Sequence, residues 1–258
     1  MCCFSGSVDS VTSTRIFVRP TEGAGQIVIY QMNLRAPADL AMILPIPVQP
    51  TAGEDAVRFI ALDGYRDFFS DLDRGWAEYD KPIPGALSAS PRANLAVHDV
   101  GDFEASFVPR MSDFERLDER FRLPEDTWAQ VPRIRDLGFV VFKLRGLSSS
   151  AEATPHPMAF EFPRQDPSQI VFPTVHIHDG RVHATASFDH ALYVQTGVNK
   201  DPRMDEELGY EYLEDESPVD ECLDLSRCAG TVLSKTTVYR RLITDEQTNQ
   251  DIVLSLPR

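Results

Sequence analysis

The stretch Thr14-Arg-Ile-Phe-Val-Arg19, followed by Gln26-Ile-Val-Ile-Tyr-Gln-Met-Asn-Leu34, points most directly to the architecture of this chain. Both segments are rich in β-branched and aromatic residues, which favour strands. The sequence Glu22-Gly-Ala-Gly25 lies between them and predicts a tight connection. We therefore expect two neighbouring strands near the start of the chain.

Helices are predicted where the period of the apolar residues changes. The first is marked by four apolar residues at helical spacing, Tyr65, Phe68, Phe69 and Leu72. Gly75 follows and is expected to end it. The second is expected to begin at a capping box formed by Ser112 and Glu115 and to end at Pro124.

Further strands are predicted from short apolar runs at residues 41–48, 138–144, 158–163, 191–196 and 231–242. Together these elements predict an α+β fold, a largely antiparallel β-sheet with two or three short helices. Residues 1–258 are expected to form a single domain. The alternative is a subdivision into 1–146 and 156–258 around a polar connector at 147–155.

The charge of the chain limits its partners. The net charge of −15 disfavours nucleic acid and anionic membranes, since both would repel the protein. Ten acidic residues against the single Arg203 lie between Asp201 and Glu221. This run indicates a solvated loop, or a face that binds a basic protein partner. The chain has no apolar run of about 18 residues and no secretory signal. With four cysteines interpreted as reduced thiols, we expect a cytoplasmic protein.

The segment Phe172-Pro-Thr-Val-His-Ile-His-Asp-Gly-Arg-Val-His183 carries the main prediction about chemistry. Asp179-Gly180 between two alternating runs is a strong signal for a two-residue β-hairpin. In that register His176 opposes His183, so His176, His178 and His183 would point to one face of the hairpin. Three histidines so arranged can bind one metal ion and leave a fourth position for water or substrate.

Several other residues could complete or support this site. The candidates are His190, Asp189, His156, Glu161 and Cys3. His190 would need a bulge or turn to join the three histidines, because its strand parity is opposite to that of His183. Asp189 could instead orient a ligating imidazole. Three neutral imidazoles suit a transition metal, zinc first, with copper or iron as alternatives. No reaction is identified, and a metalloenzyme acting on an unknown small molecule and a metal carrier are both allowed.

Seven segments, in order along the chain, resemble an uncharacterised bacterial domain family: Cys2-Cys3, Thr14–Phe17, Leu44–Pro47, Val100–Ala105, Leu123-Pro124, Gly138–Lys143 and His156–Phe160. The resemblance covers about residues 1–175. The family has no known activity, so the resemblance implies a shared domain and no reaction.

An alternative function starts from the first residues. Removal of Met1 would make Cys2 the N-terminal residue, whose free amine can act as a base for its own thiol. Met1-Cys2 followed by Ile16-Phe-Val-Arg19 resembles the opening of the cysteine N-terminal-nucleophile amidohydrolases. The resemblance implies hydrolysis of a C–N bond, with Cys2 as nucleophile and Arg19 lowering its pKa. A third alternative is a non-catalytic acidic interaction module.

Overall fold

The computed structural model describes residues 2–76, 103–122, 125–128, 130, 134–145, 152–197, 203–204, 208–212 and 219–256. The Leu123-Pro124 segment, residues 147–151 of the connector and most of the acidic run at 201–221 lie outside these ranges. The structure confirms a mixed α+β fold dominated by β-sheet. Most strand pairs are antiparallel, but each of the two large sheets also contains one parallel pair.

The predicted first strand pair is formed. Strand β2 (Ser10–Pro20) runs antiparallel to β3 (Gly25–Arg35), and Phe17 pairs with Ile29. One extra residue in β2 between Thr12 and Arg15 makes a β-bulge. Strand β3 is buried over most of its length and β2 mainly from Ile16 to Arg19, because both faces of each strand pack against other layers there.

These two strands lie inside a seven-stranded sheet of order β13-β14-β12-β2-β3-β8-β5. The remaining members are β5 (Arg58–Ile60), β8 (Met158–Pro163), β12 (His190–Val194), β13 (Glu211–Tyr212) and β14 (Tyr239–Ile243). Strand β12 pairs with β2 in parallel, and His190 lies beside Thr14. Strands from both sides of the connector at 147–155 therefore share one sheet.

A five-stranded sheet has the order β10-β1-β4-β7-β6. Its strands are β1 (Cys2–Phe4), β4 (Leu40–Ile46), β6 (Phe103–Val108), β7 (Gly138–Leu144) and β10 (His176–Ile177). Pro45 lies inside the sheet, where a proline would normally remove a hydrogen bond. Here β1 pairs only with Met42 and Ile43, so Pro45 lies beyond the end of β1 and disrupts nothing.

The other strands form two short pairs, β11 (Thr185–Ser187) with β15 (Glu246–Thr248) and β9 (Gln169–Phe172) with β16 (Ile252–Ser255). The α-helices with described bounds are α1 (Phe68–Asp73), α2 (Glu125–Trp128) and α3 (Val219–Cys222). Single 3₁₀ turns lie at Arg74–Trp76, Met111–Arg116, Glu119–Phe121, Ile134–Asp136 and Leu225–Arg227.

Two predicted elements were wrong in kind or extent. The segment assigned to a capped α-helix forms 3₁₀ turns, and its first cap residue is Arg110, whose side chain makes no capping bond. Ser112 lies inside the turn instead of preceding it, so the capping box cannot form. The strand expected at 231–242 is confined to β14, because the preceding residues form turns around Lys235, which has a positive φ of 56°.

The core has three apolar layers that follow strand alternation. Residues such as Val28 and Met42 fill the space between the two large sheets. On the outer face of the seven-stranded sheet, Phe17 packs with Phe68 of α1. On the outer face of the five-stranded sheet, the 3₁₀ turns and α2 cover the strands. No helix among the described residues has the length and apolar character needed to cross a bilayer.

Candidate metal centre

The hairpin predicted at Asp179-Gly180 is not formed in the described segment 172–197. Strand β10 pairs in parallel with β1, so that His176 lies beside Cys2. The Asn249 side chain occupies the place of the expected hairpin partner. Its Oδ1 accepts from the His176 N–H at 2.8 Å, and its Nδ2 donates to the carbonyls of His176 at 2.9 Å and His183 at 3.0 Å. An amide side chain thus satisfies the backbone groups that a hairpin would have paired.

The predicted register that brought His183 to the other two histidines is therefore wrong, and the His183 ring contacts Asp179 instead. Its Nε2 lies 2.9 Å from Oδ2 of Asp179, and both side chains are more than half exposed. This bond lowers the pKa of Asp179. Asp179 Oδ1 also accepts from the Arg181 N–H, which closes a local turn around Gly180 at φ 75°. The Asp-Gly pair makes a turn, but the chain does not continue as a paired strand.

His190 lies beside His176, at the position that was predicted for His183. Its Nε2 lies 3.1 Å from Nε2 of His176, and the two ring centroids are 4.8 Å apart. The ring of His178 is centred 5.0 Å from that of His176. His176 and His178 come from the five-stranded sheet and its exit, whereas His190 begins β12 of the seven-stranded sheet. The three imidazoles thus meet where the two sheets adjoin.

From the sequence His190 was only an additional candidate, because a straight strand from His183 would point its ring to the opposite face. The chain instead leaves β11 at Ser187 and enters a different sheet at His190. Parity along a strand does not apply across such a break. The signal was the pair Phe188-Asp189, which interrupts an alternating run just where the chain changes sheets.

The imidazole cluster, formed by His176, His178 and His190, has apolar surroundings. The ring centroid of Phe188 lies 4.6 Å from that of His176 and 5.0 Å from that of His190. The ring centroid of Phe4 lies 5.5 Å from that of His178. Burial, together with the neighbouring imidazoles, lowers the pKa of His176 and of His190 to about 3. Burial also lowers the pKa of His178. All three rings are therefore neutral at pH 7, the form in which histidine binds metals.

Two nitrogens of the cluster are buried without a hydrogen-bond partner, Nε2 of His178 and Nδ1 of His190. Burying such an atom without a partner costs about 1–3 kcal/mol. Asp189 is the acidic group nearest to the second of them, with Oδ1 3.9 Å from His190 Nδ1. Partial burial raises the pKa of the Asp189 carboxyl. Across the described ranges, no group of three or more His, Cys, Asp or Glu side chains is placed so that it could hold a metal ion.

Three other candidate ligands lie in different surroundings. Cys3 is paired with Ile177 and buried on the opposite face of the five-stranded sheet from His176 and His178. His156 is buried against the ring of Phe103, with Nδ1 3.1 Å from the carbonyl of Pro157. Glu161 binds Arg58 and the hydroxyl of Thr21. None of these contacts includes a residue of the imidazole cluster.

Arg19 is also placed away from Cys2. It lies five residues along β2 from Thr14, the partner of His190, a distance of about 16 Å on an extended strand. Its guanidinium donates to the carbonyls of Thr231 at 2.6 Å and Gly230 at 2.7 Å. Burial lowers the pKa of Arg19. In the structure Arg19 therefore holds the 230–231 turn.

The comparisons with known proteins bear on the fold. No protein-family model and no curated protein matches the chain. Baculovirus P35 aligns over 100% of both chains with a TM-score of 0.56 and 13% identity. A mutated baculovirus P35 after caspase cleavage covers 95% of this chain and 100% of its own, with a TM-score of 0.52 and 12% identity. P35 in the caspase-8/P35 complex covers 95% of this chain and 96% of its own, with a TM-score of 0.50 and 11% identity. At such identities the likeness concerns the fold: this chain has a fold similar to that of baculovirus P35 over its whole length.

Proposed function

We propose that this protein binds one transition-metal ion through His176, His178 and His190. The observation that carries the proposal is the Nε2–Nε2 distance of 3.1 Å between His176 and His190. Two imidazole nitrogens bound to one tetrahedral zinc at about 2.0–2.1 Å lie about 3.3 Å apart. The same distance fits a hydrogen bond between the two rings. The positions of these rings would therefore change little between the metal-free and the metal-bound protein.

His178 supplies the third ligand in this proposal. Its Nε2 is buried and has no hydrogen-bond partner, so its lone pair is available without breaking another contact. Rings bound to one zinc through Nε2 have centroids about 5 Å apart, which matches the 5.0 Å and 4.8 Å of the two neighbouring pairs. In this proposal, metal binding rotates the side chains so that the third nitrogen converges with the other two, since the side chains as placed do not form a metal site. Three neutral nitrogen ligands suit zinc, with copper or iron as alternatives.

A metal here would connect the two large sheets. His176 and His178 belong to the five-stranded side, and His190 to the seven-stranded side. A ligand that binds only the folded chain stabilises it in proportion to its affinity. The proposal therefore includes a stabilising role for the metal. A fourth position open to water would add hydrolytic chemistry, because zinc lowers the pKa of bound water to about 7.

The test is metal content and affinity of protein purified without an affinity tag. We expect one Zn²⁺ per chain after reconstitution and removal of excess metal, and loss of that metal in His178→Ala and His190→Ala. His183→Ala is the matched control, because it removes an exposed imidazole from the same segment. Circular dichroism confirms that each variant is folded. Equal zinc content in the wild type and in folded His190→Ala would overturn the proposal.

A second candidate function comes from the fold comparison. We propose that the chain binds a protease of the caspase class, because the P35 structures of similar fold include a caspase-8 complex and a caspase-cleaved form. The supporting observation is that the likeness spans both chains end to end. Incubation with caspase-8 would give a stable complex or a cleaved chain, detected by native electrophoresis and intact mass. An intact, unbound chain with full caspase activity on a peptide substrate would rule this candidate out.

We also propose a cytoplasmic location, as expected from the sequence. Cys222 and Cys228 are buried, and their sulfurs form no disulfide bond. Burial raises the pKa of Cys222 and raises that of Cys228 to about 12, so both stay protonated and unreactive. Such thiols are typical of a reducing compartment. Localisation of a fluorescent fusion would test it.

A further inference from the structure

We propose that Asp189 is a positioning residue for the metal centre, whose carboxylate accepts a hydrogen bond from Nδ1 of His190 while Nε2 binds the ion. This inference rests on the proposed metal site and adds a residue to it that touches no metal. It predicts which ring nitrogen of His190 carries the proton, and it gives a function to an irregularity in strand β2.

The first observation concerns Nδ1 of His190. The side chain is only 1% exposed, and Nδ1 is buried without a hydrogen-bond partner. Binding of a metal at Nε2 fixes the ring proton on Nδ1, so a buried N–H donor results. Asp189 Oδ1, at 3.9 Å, is about 1 Å beyond hydrogen-bond distance. In the metal-bound form we expect a side-chain rotation to close this gap and satisfy the donor.

The second observation concerns how the carboxylate is held. Oδ2 of Asp189 accepts from the backbone N–H of Ser13 at 2.6 Å. Ser13 lies in the β2 bulge and has a φ of 51°, a conformation that costs a non-glycine residue on the order of 1–3 kcal/mol. The extra residue turns that N–H out of the strand ladder and toward Asp189. Local backbone strain thus accompanies a carboxylate fixed beside a candidate ligand.

The third observation concerns the charges around His190. The titratable groups around it include the imidazoles of His176 and His178, the N-terminal amine and the carboxylate of Asp189. The carboxylate of Asp179 is instead bonded to His183. Asp189 is therefore the group that can offset the charge of a divalent ion at this ring. A carboxylate bonded to a ligating histidine fixes its tautomer and raises its basicity as a ligand.

The test compares Asp189→Asn with the wild type, and Asp179→Asn serves as the matched control. Zn²⁺ affinity is measured by competition with a chromophoric chelator. We expect a 10–100-fold loss in Asp189→Asn and no change beyond twofold in Asp179→Asn. Urea unfolding of the metal-free proteins shows how much of the change comes from the fold alone. Wild-type affinity in Asp189→Asn would overturn the inference.

A second measurement needs no variant. In the zinc-bound wild type with ¹⁵N-labelled histidine, we expect the proton of His190 on Nδ1 and the metal on Nε2. The opposite arrangement would overturn the inference while leaving the metal site intact. Failure of the wild type to bind Zn²⁺ at all would instead overturn the proposed function, so the two failures are distinguishable.

Discussion

The metal-free protein should lose stability as the pH falls, and His190 allows the size of the loss to be calculated. Burial lowers its pKa to about 3, whereas the ordinary value of 6.5 applies to the unfolded chain. A group with a lowered pKa binds fewer protons when folded, so its stabilisation is complete above pH 6.5 and decreases below it. Between pH 6.5 and 5 the loss is about 1.4 kcal/mol per pH unit, or about 2 kcal/mol for this residue.

The assay is urea unfolding of chelator-treated protein at pH 8, 7, 6 and 5. Carboxylates and the other histidines contribute to any pH dependence, so the measured quantity is the difference between the wild type and His190→Gln. We expect the variant to be less stable at pH 8 but to lose about 2 kcal/mol less on acidification to pH 5. His183→Gln, which changes an exposed ring of the same segment, is the matched control. Parallel curves for the wild type and His190→Gln would refute the reasoning.

Three further substitutions test individual packing and hydrogen-bond arguments, each by urea unfolding. Gly138→Ala should cost about 1–3 kcal/mol, because its Cβ would lie 2.8 Å from the Phe107 ring, and an unchanged midpoint would contradict this. Arg19→Met should destabilise the fold by about 1–3 kcal/mol by leaving two carbonyls without donors, whereas Arg58→Met, at an exposed pair, should change it by less than about 1 kcal/mol. Asn249→Ala should cost about 2–3 kcal/mol and weaken Zn²⁺ binding, since its amide holds the β10 backbone; wild-type stability and affinity would rule that role out.

Much of the sheet structure could be predicted because it depends on local pattern. The β-branched run around Phe17 forms a strand whichever neighbours it finds, and the turn after Pro20 is short enough to fix an antiparallel partner. The capped helix at Ser112 failed for a different reason. A capping box requires the residue to precede the first turn, and the sequence alone does not show that the chain already turns at Met111.

The sequence indicated that histidines of this segment lie close together, but it gave the wrong strand pairing for them. His176 and His178 were selected by their spacing along one strand, which is a local property. The predicted position of His183 opposite His176 was wrong, because the Asp-Gly turn was assumed to begin a second, paired strand of a hairpin. The side chain that prevents this, Asn249, lies 66 residues further on. The sequence named His190 as an additional candidate, but its position beside His176 depends on β12 lying in the other sheet next to Thr14, which is a long-range contact.

The two parallel pairs have a consequence for the order in which the chain can fold. Cys2 pairs with His176 and Thr14 with His190, so the partners are 174 (176 minus 2) and 176 (190 minus 14) residues apart. During synthesis at the ribosome, β1 and β2 emerge first, but they cannot form these two pairs until most of the polypeptide has been made. Contacts between such distant segments form slowly, and exposed strand edges are prone to aggregation in the meantime. The imidazole cluster joins both late pairs, so a nascent chain can assemble it only after residue 190 has left the ribosomal tunnel.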